Sequence, residues 1–268
     1  MITSAANLKL RYVRALARRS FRAREGRMVV EGVRLVEEAL GAAVDPAFAL
    51  TTETLGATER GRALQARLEA RGVPTLAVAP ALFADLAGTV SPQGVLAVVG
   101  TPALAMPEAP DLVLVLDGLR DPGNLGTALR AAAAAGGDLA LLAPGTVDAT
   151  NSKVVRAAMG AHFRLPIRHA DWAEIGARCA GLTTWVADAG GEAPYTDVDW
   201  RRPSALVVGG EADGPSAAAR GAAAAAVAIP MPGHAESLNA ASAAAVILFE
   251  AARQRGLAAR PPAPSPKM

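Results

Sequence analysis

Leu112-Val113-Leu114-Val115-Leu116 runs into Asp117-Gly118-Leu119-Arg120-Asp121-Pro122-Gly123-Asn124-Leu125-Gly126 and on through Thr127-Ala128-Leu129-Arg130. The opening run is apolar without alternation, as in a strand covered on both faces by helices. A turn rich in Gly, Pro and polar residues ends it, and the pattern that follows predicts a helix over 125–135, closed by Gly136-Gly137. Gly123 and Gly126 permit a tight backbone path, and Asn124 is of a type that caps a helix. Arg130 falls on the predicted helix.

Working outward, the same alternation continues downstream. Strands are predicted at 139–142, 164–167, 183–187, 205–208 and 227–229, and helices at 152–159, 172–179, 215–225 and 238–255. Strand–helix alternation of this kind means an α/β domain with a mostly parallel sheet. Upstream, residues 101–110 hold three well-separated prolines, Pro102, Pro107 and Pro110, without periodicity, and are read as a linker. Before it lies a smaller α/β unit: helix 7–19, strand 28–32, helix 33–39, strand 47–51, helix 59–71, strand 75–78, helix 81–86 and strand 95–99. The expected organisation is therefore an N-terminal domain over 1–100, a linker over 101–110, a larger domain over 111–257 and a disordered, Pro-rich tail over 258–268. No internal repeat is visible.

Composition narrows the classes. The chain has 268 residues, 51% of them hydrophobic and 19% charged, which suits a globular protein. Cys179 is the single cysteine, so neither an internal disulfide nor a cysteine metal cluster can form. His162, His169 and His234 are scattered without ligand spacing, and no metal is expected. The start of the chain has no apolar signal core and no run reaches membrane length, so a cytoplasmic protein without membrane contact is expected. The formal charge is only +2. Even so, Lys9, Arg11, Arg14, Arg18, Arg19, Arg22, Arg24 and Arg27 are opposed by Glu25 alone. Such clustering suits phosphate contacts, and the guanidinium fork grips oxygens in pairs. Charge alone leaves a solvated helix face as the alternative.

Three segments place Gly, Pro and polar residues after a buried strand, the edge at which open α/β sheets bind ligands. The first is quoted above. The second is Gly209-Gly210-Glu211-Ala212-Asp213-Gly214-Pro215, where paired glycines allow close backbone approach and a carboxylate follows. The third is Ile229-Pro230-Met231-Pro232-Gly233-His234-Ala235-Glu236-Ser237-Leu238-Asn239, a stiff loop in which Ser237 is a natural helix cap. Each alone could be an ordinary turn. None matches a dinucleotide Gly-x-Gly-x-x-Gly fingerprint or a phosphate-binding Gly-Lys-Ser/Thr loop, which disfavours ordinary nucleotide enzymes.

In order and spacing the three segments resemble the signature motifs of the SpoU (TrmH) branch of the SPOUT methyltransferases. Asn124-Leu125-Gly126 with Arg130 is similar to the first, Gly209-Gly210-Glu211 with Gly214 to the second, and Ile229-Pro230-Met231 with Ser237-Leu238-Asn239 to the third. Gly210 stands where many relatives carry asparagine. Ser4, Asn7, Arg22, Val30-Glu31-Gly32 and Ser91-Pro92-Gln93-Gly94-Val95 resemble the substrate-binding domain that precedes the catalytic domain in rRNA-modifying members.

The resemblance implies a SPOUT α/β domain with a deep trefoil knot, preceded by a ribosomal-protein-like α/β domain that binds RNA. It implies S-adenosylmethionine as cofactor and a homodimer that completes the site. The activity implied is methyl transfer to a ribose 2′-hydroxyl, with rRNA favoured as substrate. Position by position, Gly209, Ile229, Met231 and Leu238 would bind the cofactor, and Asn124, Arg130, Glu211, Ser237 and Asn239 match positions tied to activity. Lys9, Arg11, Arg18, Arg19 and Arg22 would contact RNA. Two other readings compete: an RNA-binding assembly factor without methyl transfer, and an enzyme that methylates a base nitrogen. A role in antibiotic resistance is neither favoured nor disfavoured.

Overall fold

Eleven strands and eleven α-helices are found among the described residues of the computed structural model, namely 1–256 apart from Ala212 and His234. The predicted tail and His234 lie outside them. From the N-terminus the chain forms α1 (Leu8–Ala15), α2 (Arg19–Glu25), β1 (Arg27–Glu31), α3 (Val33–Gly41), β2 (Phe48–Thr51), α4 (Glu53–Gly56), α5 (Glu59–Ala70), β3 (Thr75–Ala77), α6 (Pro80–Ala84) and β4 (Val95–Gly100). It continues through β5 (Leu112–Asp117), α7 (Pro122–Ala134), β6 (Leu139–Leu142), α8 (Ser152–Ala158), β7 (Ile167–His169), α9 (Trp172–Arg178), β8 (Thr183–Ala187) and β9 (Ala193–Pro194). The last elements are β10 (Ser204–Gly209), α10 (Ala217–Ala222), β11 (Ala225–Ala228) and α11 (Ala240–Gln254).

Two compact units result: Met1–Leu104 with Asp148–Arg164, and Ala105–Val147 with the chain from Leu165 onward. The first contains a four-stranded sheet in the order β1-β4-β2-β3, antiparallel except for the β2–β3 pair. One of its faces buries Met28, Val30, Leu64 and Leu68, and the other buries Leu10, Leu16, Phe48 and Phe83. Asp148–Arg164 belongs to this unit by packing, although in sequence it falls within the larger domain expected over 111–257. Val155 and Phe163 are part of its core. The buried Arg22 donates to Asp148 Oδ2 at 2.5 Å and to Thr150 Oγ1 at 2.9 Å.

Arg22 also donates to the carbonyls of Leu16 and Ala17, both at 2.8 Å. Those carbonyls sit where the predicted helix 7–19 actually ends, and the chain restarts as α2, which the sequence pattern did not predict. The short Gly32 turn is likewise explained by a distant partner. Gly32 has φ 95, and Gln93 Oε1 accepts the N–H of Val33 at 2.9 Å, where α3 begins.

The second unit is built on a seven-stranded sheet in the order β7-β6-β5-β10-β8-β11-β9, every neighbouring pair parallel. The apolar run 112–116 is buried throughout together with Asp117, as is β10. Residues alternate across the sheet. Val113, Val115, Leu141, Val186 and Val207 form a core with Ile175 of α9 and Ala219 of α10. On the opposite face α11 packs on β10 and on α7 through alanine-rich stripes that allow close approach. Strand order does not follow chain order: β10 lies between β5 and β8, and β11 lies between β8 and β9. Two late strands thus occupy places flanked by earlier ones. Elsewhere the sequence reading shifts modestly. The strand expected at 164–167 forms at Ile167–His169, after a short turn of helix at Ala161–Phe163. The helix expected over 215–225 shrinks to Ala217–Ala222, because Ser216 caps it and β11 starts directly afterwards.

Candidate active site

All three quoted segments emerge at the carboxyl edge of the parallel sheet. The turn after β5 starts α7. Its cap is Asp121, whose side chain accepts the N–H of Asn124 at 2.8 Å, with Pro122 in the first turn. Asn124 is therefore not the cap that the sequence suggested. Its amide is free to project from the first turn of the helix. Similarly, α11 is capped by Asn239 rather than by Ser237. Asn239 Oδ1 accepts from the N–H groups of Ala241 at 2.9 Å and Ser242 at 3.3 Å. That leaves the Asn239 amide nitrogen pointing away from its own helix.

These two amides meet. Asn239 Nδ2 donates to Asn124 Oδ1 at 2.9 Å, and Asn124 Nδ2 donates to Glu211 Oε1 at 2.6 Å. One residue from each segment thus joins a single directional chain. Beside it is a cavity of about 630 Å³, within the size range of ligand pockets. Its walls come from the ends of β8, β10 and β11 and from the start of α11. Gly209, Glu211, Ile229, Met231, Ser237 and Leu238 line it, with Asn239 at its edge.

Glycine makes the wall thin. A Cβ on Gly209 would stand 2.2 Å from the nitrogen of Pro215, and one on Gly210 would stand 2.7 Å from the carbonyl oxygen of Gly118. The backbone here is folded too tightly for any side chain, so a ligand in the cavity meets main-chain groups. Apolar contact is supplied by Val208, Val227, Ile229 and Leu238. Carboxylates of Glu211 and Glu236 add negative charge to the wall. This mixture of apolar wall, bare backbone and carboxylates fits an adenosyl sulfonium cofactor.

Two charged lining residues were not singled out by sequence reading. Asp188, just past β8, pairs with Arg220 of α10, and both line the cavity. A hydrogen bond from Gly190 N at 3.0 Å does most to hold the Asp188 carboxyl below the usual carboxylate range, and the Arg220 pair adds to it against desolvation. An acid directly after a strand was the available signal, but nothing local pointed to Arg220.

Arg130 lies outside the cavity wall, exposed on α7 with no hydrogen bond or ion pair to another described residue. On the first unit, Lys9, Arg11, Arg18 and Arg19 are exposed and make no ion pair with a described residue. Phe21 carries Arg24 at 4.7 Å and Arg18 at 5.8 Å from its ring centre, and Lys9 stands 4.4 Å over Phe48. Arg22 departs from this group and from the RNA contact expected of it. Being 5% exposed, with four of its five N–H groups bonded to Leu16, Ala17, Asp148 and Thr150, it holds the fold together and is turned away from any phosphate at the surface.

Comparison with known proteins agrees with this geometry. Residues 111–249 match the SpoU rRNA Methylase family, and residues 7–97 match the MRM3-like substrate binding domain. The 23S rRNA (guanosine(2553)-2′-O)-methyltransferase RlmP of Bacillus subtilis is 33% identical over 250 residues, 92% of this chain and 97% of that protein. A crystal structure of an RNA 2′-O ribose methyltransferase superposes with a TM-score of 0.83 at 35% identity, covering 95% of this chain and 98% of that one. An AdoMet-bound rRNA methyltransferase from Sinorhizobium meliloti superposes with a TM-score of 0.80 at 30% identity, covering 94% of this chain and 97% of its own. The chain belongs to the SpoU rRNA methylase family.

Proposed function

We propose that this chain transfers a methyl group from S-adenosylmethionine to a ribose 2′-hydroxyl of ribosomal RNA. The observation that carries the reading is the Asn239–Asn124–Glu211 chain at the edge of a cavity whose thin wall suits the cofactor. Gly209, Ile229, Met231 and Leu238 hold the cofactor through main-chain groups and apolar contact. When bound, the cofactor supplies an electrophilic methyl carbon on a positively charged sulfur. The remaining task belongs to the protein: to align a sugar oxygen with that carbon and to let its proton depart. Alignment of reacting groups contributes up to roughly 7–11 kcal/mol in ideal cases.

Asn124, Glu211, Ser237 and Asn239 provide the polar frame for that alignment. A guanidinium is a donor with no accepting atom, so Arg130 acts as a grip rather than as a base. Its unengaged guanidinium holds the phosphate next to the reacting sugar, and the hydroxyl proton leaves through phosphate or water. Lys9, Arg11, Arg18 and Arg19 form the RNA-binding surface of the first unit, where cations and aromatic rings are interleaved. A homodimer is part of the same reading, supported by Phe249, 51% exposed on α11. So is a cytoplasmic location, in keeping with a single, buried cysteine. The trefoil knot is supported by the insertion of β10 and β11 between earlier strands.

Ribose-methylation mapping of total RNA, with and without the protein, tests the reading. One ribosomal position is expected to lose its 2′-O-methyl group when the protein is absent. An unchanged map would overturn the proposal. A modified base in its place, seen by nucleoside mass spectrometry, would favour base-nitrogen methylation. Failure to bind S-adenosylmethionine in calorimetry would favour the RNA-binding assembly factor.

A further inference from the structure

The turn after β10 forms part of the cavity wall, and a buried side chain outside that wall bonds to the turn's end. Asp117 is the last residue of β5, 5% exposed, and stands in register with Gly209 of β10. Its Oδ2 accepts the N–H of Ser216 at 2.7 Å. Ser216 is the cap of α10, and its hydroxyl accepts from Ala219 N at 3.2 Å. Between Gly209 and Ser216 runs the segment that carries Glu211. It is closed on itself by Gly214 N donating to Gly210 O at 3.0 Å, and Gly210 sits against the carbonyl of Gly118.

The backbone on either side of Asp117 is itself braced. Gly118, with φ 72, donates to Thr146 Oγ1 at 3.0 Å, and the Thr146 hydroxyl donates to Leu116 O at 2.9 Å. Both neighbours of Asp117 are thus tied to one buried threonine. Gly209 is anchored by the β10 ladder, and Ser216, after Pro215, by its bond to Asp117.

We propose that Asp117 is a positioning residue for cofactor binding: its carboxylate fixes the Ser216 N–H, and with it the wall residues Gly209, Gly210, Glu211, Gly214 and Pro215, ahead of S-adenosylmethionine. The inference rests on the proposed function. Fixing a wall in its bound shape strengthens binding by removing the ordering cost from the association step. A bond to a charged acceptor is roughly twice as strong as a neutral one, so an amide in this place is expected to hold the Ser216 N–H less firmly.

Calorimetry of the full chain with S-adenosylmethionine, alongside steady-state kinetics and thermal melts, tests this on Asp117→Ala and Asp117→Asn. For Asp117→Ala, the cofactor Kd and KM are expected to rise about tenfold, the scale of losing one charge-assisted bond. Asp117→Asn keeps an accepting oxygen and is expected to weaken binding only severalfold. Because the same segment carries Glu211, which Asn124 also holds, kcat at saturating cofactor is expected to fall by less than the cofactor KM rises, and RNA affinity stays unchanged in both. A folded Asp117→Ala protein that loses melting temperature but binds the cofactor like the unaltered chain would overturn the inference. If that variant does not fold, Asp117→Asn decides it, and unaltered cofactor affinity there refutes it. Failure of the unaltered chain to bind the cofactor would instead bring down the proposed function and this inference together.

Discussion

Asn239 Nδ2 donates to Asn124 Oδ1 at 2.9 Å, joining residues 115 positions apart in sequence. Because the other Asn239 amide atom accepts from the first N–H groups of α11, its orientation is set by the helix. Asn124 then has no freedom to flip, since its oxygen is taken and its nitrogen must face Glu211. Direction passes from helix start to amide to amide to carboxylate.

Breaking the first link should leave Glu211 unguided. Asn239→Ala is expected to lower kcat by roughly 10²-fold, the scale of a small misplacement of reacting groups. Asn239→Asp keeps the cap but puts an acceptor opposite the Asn124 oxygen, so it should be no better than alanine in turnover while melting closer to the unaltered protein. Single-turnover rates paired with thermal melts check this, and a fully active Asn239→Asp protein would count against the relay.

Arg130 stands apart from the cavity and is unengaged, so its removal should not disturb cofactor binding. Arg130→Ala is expected to abolish turnover with the S-adenosylmethionine Kd unchanged in calorimetry. Arg130→Lys should recover little, because an ammonium cannot grip two oxygens with a planar fork. Near-full activity in Arg130→Ala would refute its assignment.

The exposed cations of the first unit should act additively and through salt. Reversing charge at Lys9, Arg11, Arg18 and Arg19 is expected to weaken RNA binding and to flatten the plot of log affinity against log salt. The slope is expected to change by about 0.7–0.9 for each phosphate that no longer has a cation beside it. Titrations at several salt concentrations measure it, and an unchanged slope would show that RNA binds elsewhere. Deleting the residues before the linker is a poorer test, because it strips Val155 and Phe163 of the core they share.

Acid should weaken the first unit in two stages. His162 is 6% exposed, and its Nε2 lies 2.8 Å from Ala149 O, a carbonyl that can only accept, so the proton sits on Nε2. Nδ1 has no partner among the described residues, and burial pushes the imidazole below its ordinary value. Burial alone would raise Asp148, but the bonds from Arg22 and Thr150 outweigh it and hold the carboxyl low. Both groups bind protons more readily unfolded than folded. Stability from His162 is therefore complete above about pH 6.5 and falls as pH drops below it, and Asp148 adds a second loss below about pH 3.9. Urea titrations between pH 7 and 5 should show a slope of up to about 1.4 kcal/mol per pH unit from His162, which His162→Gln removes. Equal slopes in both proteins would contradict it.

Much of this architecture could be read before any coordinates. The unbroken apolar runs at 112–116 and 205–208 marked strands buried on both faces, and both are. The order of the three polar segments pointed to their meeting at one edge, where Asn124, Glu211 and Asn239 are found. What stayed hidden depended on partners far away in sequence. Arg22 looked like one more surface cation because nothing nearby shows that Asp148, 126 positions on, will bury it. Capping was misassigned at both Asn124 and Ser237 because several eligible residues crowd each turn, and only three-dimensional packing selects Asp121 and Asn239. Asp117 closed an apolar run without any local sign that Ser216 would need it.

The placement of β10 between β5 and β8 also sets a timetable for the chain as it is made. Until residues 204–209 have left the ribosome, β5 and β8 have no strand to pair with on their facing sides, and unpaired strand edges invite association with other chains. The sheet must keep a slot open for a strand synthesised after both of its neighbours, then accept another between β8 and β9. The binding chamber is thus among the last parts to take shape, so a nascent chain stalled before Ser204 holds a completed four-stranded sheet and half an enzyme.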